Sequence, residues 1–314
     1  MVNPFALRRP APSRVVPVPV ACVAMATAMW AAALAVPCET RAQLAGTGIP
    51  ATDDELVTAT LVSEARAIAP GQRFRMAVRL VAKEGWHLNW LNPGDAGLAP
   101  GVGWKLPAGF VVGPPCWPFP ERFQTGPLVI FGYDGELLLV FDVRTPTTLT
   151  AGETVELRAD VSWLACADGC VPGDASVALT LQVRDKVETD TEWLARLERA
   201  QAQCPRPSLE WNVEARVDRQ GFIALDISAG EQETKLEDVF FFPYDTGLIE
   251  NAAPQRLSVI ASPYGRAAYQ LTVEISRMAA GIPSRLSGIL VSSSGWSGGD
   301  GARAIEIDVP LGRQ

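Results

Sequence analysis

Apolar and polar residues alternate with a period of two along much of the chain. In the segment 73–82, the apolar side chains of Phe74, Met76, Val78 and Leu80 share one face, and three arginines lie on the other. The same alternation occurs in the segments 155–161, 177–183, 222–227, 271–275 and 305–309. A period of two is typical of a strand with one buried face. Many short strands separated by Pro- and Gly-rich turns predict a mainly β chain folded into β-sandwiches.

Two further segments are predicted to be strands on other grounds. Leu56–Glu64 is rich in β-forming residues, and Leu137–Val143 is almost continuously apolar. A continuous apolar run is typical of a strand that is buried on both faces. The pair Pro70–Gly71 predicts a turn between the first of these strands and the strand at 73–82.

One segment has helical periodicity instead. Thr189–Glu192 has the form of a capping box, in which the threonine hydroxyl and the glutamate carboxylate satisfy backbone N–H groups at a helix start. Apolar residues then recur at helical spacing, and prolines at 205 and 207 predict that the helix ends near Gln203. We therefore expect a first β-sandwich domain over 43–187, a linker helix within 188–207, and a second β-sandwich domain over 208–314.

The first 42 residues have the pattern of a secretory signal peptide. Three arginines within the first 14 residues precede the apolar stretch Val15–Val36, and Thr40–Ala42 fits a small-x-small cleavage site before Gln43. A retained membrane anchor is the alternative, because the apolar stretch is nearly long enough to span a bilayer. Prolines at 17, 19 and 37 disfavour an uninterrupted spanning helix. We expect export to the periplasm.

Charge and cysteine content narrow the classes of function. The formal net charge of −8 disfavours nucleic acid and anionic membrane surfaces as main partners. Removal of the signal peptide would leave four cysteines, Cys116, Cys166, Cys170 and Cys204. In an oxidising compartment, disulfide chemistry is the default interpretation of such residues.

The stretch Trp163–Gly173 is the main candidate for chemistry. It places Cys166 and Cys170 four positions apart, after a predicted strand and before a turn predicted at Pro172–Gly173. These cysteines can form a disulfide if the loop brings their Cα atoms within about 7 Å. A bond that closes so short a loop restricts the unfolded chain little, and strained short loops are easier to reduce. From the residues alone, a static disulfide and a redox-active pair both remain open.

Other candidate residues give weaker signals. His87 is the only histidine, and without a nucleophile motif a structural role is the favoured interpretation. The run Asn92–Asp95 reads as a turn. The proline-rich segment 114–126 carries Trp117, Phe119 and Phe123, which either cover the end of the sandwich or form an aromatic lid.

Two features are left without assigned chemistry. Cys116 and Cys204 are a second possible pair, which the sequence does not establish. The aromatic segment 239–255 is distinctive, and we expect it to serve packing and loop formation. The cysteine stretch offers two ligands, whereas a structural zinc site needs four, so no metal site is predicted.

A set of short motifs, in this order, resembles the periplasmic N-terminal region of DsbD/ScsB-type thiol:disulfide interchange proteins. The motifs are Gly85–His87, Asn92–Gly97, Trp117–Phe123, Gly132–Glu136, Trp163–Gly173 and Phe241–Tyr244. The resemblance spans nearly all of the chain after the predicted signal peptide. It implies immunoglobulin-like sandwich domains.

The resemblance also implies roles for individual residues. Cys166 and Cys170 would be the redox pair, with Cys170 forming the mixed disulfide with partners and Cys166 resolving it. Phe123 would belong to a cap loop over the pair. The spacing of the two cysteines is shorter than in DsbD, which implies a different loop geometry.

Three further residues are expected to line the site, again by resemblance. Glu121 lies in the cap segment just before Phe123, and Trp86 and Trp90 fall where aromatic residues line the family's site. These assignments carry over by position along the chain.

The function implied is that of a periplasmic protein-disulfide reductase component, of a kind linked to cytochrome c biogenesis. The chain ends at Gln314 without the family's membrane domain and thioredoxin-like domain, so a separate multi-spanning membrane electron carrier and thioredoxin-like proteins are the expected partners. No organic cofactor and no small-molecule substrate are expected.

Two alternatives remain at this stage. One is a non-catalytic periplasmic binding or scaffold module with a structural 166–170 disulfide. The other is a copper-tolerance protein, as the resemblance to ScsB-type proteins implies, that binds Cu(I) through Cys166, Cys170 and His87, since soft thiolates favour that ion.

Overall fold

The computed structural model of the chain describes residues 56–229, 235–261, 268–296 and 302–313. The predicted signal peptide at 1–42, its alternative as a membrane anchor and the lead-in at 43–55 lie outside the described residues. Within the described part of the chain, no helix has both the length and the apolar character needed to cross a membrane.

Twelve strands of the described chain form the first β domain. In chain order they are β1 Val57–Ser63, β2 Ala65–Ile68, β3 Arg73–Ala82, β4 His87–Gly94, β5 Gly101–Lys105, β6 Val111–Val112, β7 Glu121–Thr125, β8 Leu128–Asp134, β9 Glu136–Arg144, β10 Thr154–Cys166, β11 Cys170–Val183 and β12 Glu188–Thr189.

These strands form two sheets that pack face to face. One sheet has the order β1-β3-β9-β6, and the other has the order β12-β2-β11-β10-β4-β8-β7, with β5 added on β10. Phe74 and Met76 from the first sheet and Leu88, Phe131 and Leu157 from the second belong to one buried core. The first domain is therefore a β-sandwich.

The single described helix, α1, covers the outer face of β3 and β9. It spans Thr191–Ala202 and ends at a C-cap on Gln203, as the sequence predicted. Leu197 and Ala200 pack on Ala77 and Leu138, which explains why β3 is more buried than its arginines suggest.

The helix start differs by one residue from the predicted capping box. Asp190 is the N-cap, and its carboxylate accepts hydrogen bonds from the backbone N–H groups of Glu192 and Trp193. Thr189 instead belongs to β12, where it pairs with Ala65. Aspartate is as good an N-cap residue as threonine, so strand pairing decides between them.

The second β domain follows the helix. Its strands are β13 Arg206–Pro207, β14 Trp211–Val217, β15 Phe222–Ala229, β16 Phe240–Pro243, β17 Arg256–Val259, β18 Ala268–Glu274, β19 Arg285–Val291 and β20 Ala304–Arg313.

Hydrogen bonding in the second domain runs through one curled sheet of order β16-β19-β20-β14-β15-β18-β17, with β13 beside β20. The long strand β20 pairs with β19 over most of its length and then with β14 at its end. The sheet encloses its own core, which includes Ile223, Leu271 and Leu286. The prediction of a mainly β chain, with two β domains linked by a short helix, is confirmed.

The two domains share buried contacts along β4 and β16. Phe242 of the second domain is buried in the core of the first domain. The side-chain amide of Asn92 donates hydrogen bonds to the backbone oxygens of Pro243 (2.8 Å) and Asp245 (3.2 Å). The aromatic segment that the sequence left without chemistry thus holds the second domain against the strand that begins at His87.

Candidate functional site

Cys166 and Cys170 flank the loop at the closed end of the β10–β11 hairpin. Cys166 is the last residue of β10, Cys170 is the first of β11, and the two are direct cross-strand partners. They form a disulfide with a Cα–Cα distance of 4.1 Å. The three loop residues between them turn tightly, with the N–H of Ala167 donating to the carbonyl of Gly169 (2.9 Å). The C-x3-C spacing is therefore explained by a hairpin loop.

The prediction of a turn at Pro172–Gly173 is wrong, because both residues lie within strand β11. Gly173 pairs with Trp163 across the hairpin. The indole of Trp163 lies so close to Gly173 that a Cβ there would come within 2.6 Å of its Nε1 atom. The glycine is thus required by a cross-strand neighbour, which local sequence signals do not report.

The run Asn92–Asp95 was also predicted to be a turn, and its first part instead belongs to β4. The strand continues to Gly94, and the turn follows at Asp95. The Asn92 side chain accepts a hydrogen bond from the N–H of Gly94 (3.0 Å), which supports the irregular strand end.

The two cysteines differ sharply in exposure. Cys166 is 1% exposed, whereas Cys170 is an exposed residue. Thiol–disulfide exchange requires attack along a path that a second protein can reach. Of the two residues, Cys170 is the one that a partner can approach.

Cys170, Cys166, His87 and Asp134 form one row across four neighbouring strands. Cys166 is the register partner of His87 on β4, and His87 is the register partner of Asp134 on β8. Direct cross-strand neighbours point to the same face of a sheet, with Cβ atoms roughly 4.5–5.5 Å apart. The row therefore leads from an exposed cysteine, through two buried side chains, to an exposed carboxylate.

His87 lies buried within this row. The ring of Phe123 stacks on the imidazole with a centroid distance of 5.0 Å and an interplanar angle of 7°. Its Nε2 atom is buried without a hydrogen-bond partner. Burial lowers the pKa of His87 below its usual 6.5, which favours the neutral form of the imidazole.

Asn89 is a site residue that the sequence analysis missed. It is fully buried, and its Oδ1 atom lies 3.9 Å from the sulfur of Cys166 and accepts the N–H of Leu98 (3.2 Å). A Cβ at Gly97, where φ is +123°, would overlap the Asn89 side chain. Its position two residues after His87, on the same strand face, is the signal that could have found it.

The remaining predicted site residues differ in whether they contact the row formed by Cys170, Cys166, His87 and Asp134. Phe123 covers His87, and Glu121 shares its face of β7 as an exposed residue. Trp86 is half-buried against the first-domain core. Trp90 is 1% exposed and contacts Phe242 and Tyr244 of the second domain, so the structure places it at the domain junction.

Arg122 ties the strand of Phe123 to the second domain. Its Nη2 atom donates to the backbone oxygen of Asn251 (3.1 Å), and its guanidinium lies 4.3 Å from the ring centroid of Phe240. Partial burial of the guanidinium lowers the pKa of Arg122. Asn251 in turn donates to Asp95 at the end of β4 (2.8 Å). The second domain therefore holds both strands that flank the site.

We expect Arg122→Ala to loosen Phe123 over the cysteine row. A charge-assisted hydrogen bond contributes about 1.5–3 kcal/mol, and its loss frees one side of β7. The reduced cysteines should then react several-fold faster with a small aromatic disulfide. The absorbance of the coloured thiolate that is released measures this rate. Gln124→Ala is the matched control, since Gln124 lies on the same strand and bonds only locally to Gly126. Equal rates in both variants would show that Arg122 does not restrain Phe123.

A second disulfide joins Cys116 to Cys204, with a Cα–Cα distance of 5.9 Å. It connects the proline-rich segment before β7 to the residue just after the helix C-cap. The sequence had left this pairing open. Within the described ranges, no group of three or more His, Cys, Asp or Glu residues is arranged to hold a metal ion.

Comparisons with known proteins agree with this geometry. The family model of the N-terminal region of the thiol:disulfide interchange protein DsbD matches residues 58–182. The N-terminal periplasmic domain of ScsB from Proteus mirabilis is 20% identical, with a TM-score of 0.52, and the alignment covers 82% of this chain and 92% of that one. Among curated proteins, no sequence matches this chain.

Two other solved structures align over similar lengths with low scores. The major pilin subunit BcpA of Bacillus cereus is 10% identical, with a TM-score of 0.26, covering 82% of this chain and 69% of its own. The sporulation control protein Spo0M from Bacillus subtilis is 10% identical, with a TM-score of 0.23, covering 81% and 90%. Scores this low carry no argument about function.

The match to the DsbD model extends from β1 to β11. It therefore includes the β10–β11 hairpin with its cysteine pair, the strand of His87 and the strand of Phe123. The ScsB domain shows that the fold is shared over both β domains. Residues 58–182 of this chain therefore match the family of DsbD N-terminal domains, and both β domains share the fold of the ScsB domain.

Proposed function

We propose that this chain is a periplasmic thiol–disulfide exchange protein that passes reducing equivalents through Cys166 and Cys170 to partner proteins. The observation that carries the proposal is the difference in exposure within the pair. One cysteine is exposed and the other is buried, and they lie directly opposite each other beside the loop of the β10–β11 hairpin. A domain of the DsbD family is a thiol–disulfide interchange module. The exchange role of this particular pair is our inference.

The reaction begins with the reduced pair. The thiolate of Cys170 attacks a partner's disulfide, a mixed disulfide forms, and one partner sulfur leaves as a thiolate. Cys166 then loses its proton and attacks the sulfur of Cys170. The second partner sulfur leaves, so the partner gains two electrons and two protons and the 166–170 disulfide is restored. Sulfur carries the electrons throughout, and the scheme needs no organic cofactor.

The partners follow from this chemistry. Oxidised thioredoxin-like proteins of the periplasm would accept the electrons, and a multi-spanning membrane electron carrier would reduce the pair again. Such proteins would dock at the exposed Cys170 and near the half-buried Phe123, which stacks on His87. Export through the predicted signal peptide would place the chain in that compartment.

Trapping of the mixed disulfide tests the proposal. Reduced Cys166→Ala protein, mixed with an oxidised thioredoxin-like protein, should form a covalent adduct that dithiothreitol reverses, because nothing resolves it. Cys170→Ala is the matched control and should form none. If Cys170→Ala traps the partner and Cys166→Ala does not, the two roles are reversed.

The reduction potential separates this proposal from a scaffold with a fixed disulfide. A structural bond would have a potential below about −300 mV, and such a value for the 166–170 pair would exclude an exchange role. A higher potential would support exchange. The copper alternative predicts Cu(I) bound to the reduced protein, which metal analysis would detect.

A further inference from the structure

Cys166 faces a proton-transfer problem that Cys170 does not. The exposed Cys170 exchanges its proton with water, whereas Cys166 is 1% exposed. A thiolate is the attacking species, and an unpaired charge in a buried position is costly. Some group beside Cys166 must therefore take its proton when the sulfur attacks and return one when the disulfide is reduced.

His87 has the position and the chemistry for this task. It is the direct cross-strand partner of Cys166, on the same face of the sheet. Imidazole is the side chain whose ordinary pKa lies nearest to neutrality, and its buried Nε2 atom has no hydrogen-bond partner. No backbone or side-chain group uses that nitrogen in the oxidised protein.

Asp134 completes a path to solvent. It is the register partner of His87 on the other side, and it is exposed. Thiol, imidazole and carboxylate thus occupy three adjacent positions of one row. A carboxylate beside an imidazole stabilises the imidazolium that forms when the ring accepts a proton.

We propose that His87 is the proton acceptor and donor for Cys166, with Asp134 as the group that connects it to solvent. The inference rests on the proposed exchange function and adds a residue to it. In the resolving step, the S–H bond of Cys166 breaks and its proton moves to the imidazole. The sulfur then bonds to Cys170, and the Cys170–partner bond breaks. The imidazolium returns the proton to the departing thiolate or, through Asp134, to water.

The neighbouring groups are consistent with this role. Asn89 also lies beside the Cys166 sulfur, and its Oδ1, 3.9 Å away, can accept the S–H of the reduced thiol. The carboxylates on the surrounding elements are Asp134 on β8, Glu121 on β7 and Asp168 in the hairpin loop. Burial is nevertheless the cause that sets the direction of the His87 pKa, which is lowered, so these carboxylates do not hold the resting ring in its charged form. The nearest cation on β7, Arg122, is directed to the second domain.

A two-step reaction with a chromogenic aromatic disulfide (Ellman's reagent) isolates the resolving step. The full chain, with Cys22 and Cys38 of the predicted signal peptide replaced by alanine, is first reduced until the 166–170 pair supplies two titratable thiols per molecule. Attack by Cys170 releases the first coloured thiolate, and attack by Cys166 on the mixed disulfide releases the second. Stopped-flow absorbance gives a rate for each phase at each pH.

His87→Gln should slow the second phase by about 100-fold at pH 7, the lower end of what general acid–base catalysis supplies, and leave the first phase unchanged. The wild-type second phase should rise with pH and level off once the imidazole is neutral. The variant should instead keep rising with thiol ionisation. A second phase with wild-type rate and pH profile would overturn the proposal.

Asp134→Asn provides a second variant at an exposed position, where folding is not at risk. It should slow the second phase several-fold, whereas Asp142→Asn, an exposed carboxylate on β9, should not. If His87→Gln does not fold, an unchanged second phase in Asp134→Asn overturns the proposal. Absence of the first phase in the wild-type protein would instead refute the exchange function itself.

Discussion

Replacing Cys116 and Cys204 together with alanine is expected to lower the free energy of unfolding by about 4–5 kcal/mol. The bond joins residues 88 positions apart, and a cross-link stabilises mainly by restricting the unfolded chain, more so for longer loops. The same relation gives about 2 kcal/mol for the short loop between Cys166 and Cys170. The two disulfides should therefore differ by about twofold in their contribution.

The surroundings of the Cys116–Cys204 bond suit a structural role. The N–H of Cys116 donates to the carbonyl of Val140 on β9 (2.8 Å), and the N–H of Phe119 donates to the carbonyl of Gln203 (3.1 Å). Both cysteines are half-buried. The bond fixes the proline-rich segment between β9 and the helix end, and this segment leads directly into β7.

Chemical denaturation of the Cys116→Ala, Cys204→Ala variant, with the 166–170 pair kept oxidised, measures the loss in the free energy of unfolding. The Cys166→Ala, Cys170→Ala double variant, with Cys116–Cys204 intact, is the control. Thiol exchange by the 166–170 pair should persist in the variant that lacks Cys116 and Cys204. Equal losses in the free energy of unfolding from the two double variants would mean that loop length does not govern how much each disulfide stabilises the fold. The energetic distinction between a structural disulfide and an exchange pair would then be wrong.

Strand patterns were predictable because they depend on neighbours along the chain. The strand at 73–82 has the predicted bounds, and the predicted alternation at 155–161 matches burial residue by residue. The failures arose where a distant side chain overrides a local signal. Pro172–Gly173 has the composition of a turn, yet these residues pair with Leu164 and Trp163 across the β10–β11 hairpin.

The site was predictable only in part, for a related reason. Cys166 and Cys170 stood out by residue type and spacing, and the resemblance supplied Phe123. The row through His87 to Asp134 depends on the register of β4 against β8 and β10. The alternation within a strand fixes the face that each residue occupies, but it does not identify the cross-strand partner when the two strands are far apart in the chain. The Cys116–Cys204 pairing was undetermined in the same way, since four cysteines permit several connectivities.

The second domain carries no chemistry of its own in the described residues, so its contribution must come through contacts. Phe242 is the principal one. It is 3% exposed and packs edge-on against Phe131 (ring centroids 4.9 Å apart) and Trp90 (6.0 Å) of the first domain. Because Trp90 lies on the same strand as His87 and Asn89, this contact supports the strand that borders Cys166.

Phe242→Ala is expected to lower the free energy of unfolding by about 4 kcal/mol, the usual cost of truncating a fully packed phenylalanine. Phe222→Ala is the matched control, because Phe222 is only half-buried at the start of β15, and it should cost less than half as much. Denaturant titration of both variants gives the two values. Hydrogen exchange of the β4 amides then shows where the loss falls. Faster exchange at His87–Trp90 in Phe242→Ala, but not in Phe222→Ala, would mean that the second domain stabilises the sheet that carries Cys166 and His87, which is a reason for a redox module to retain a domain without reactive residues. Unchanged exchange at these amides in both variants would mean that the second domain does not stabilise this strand.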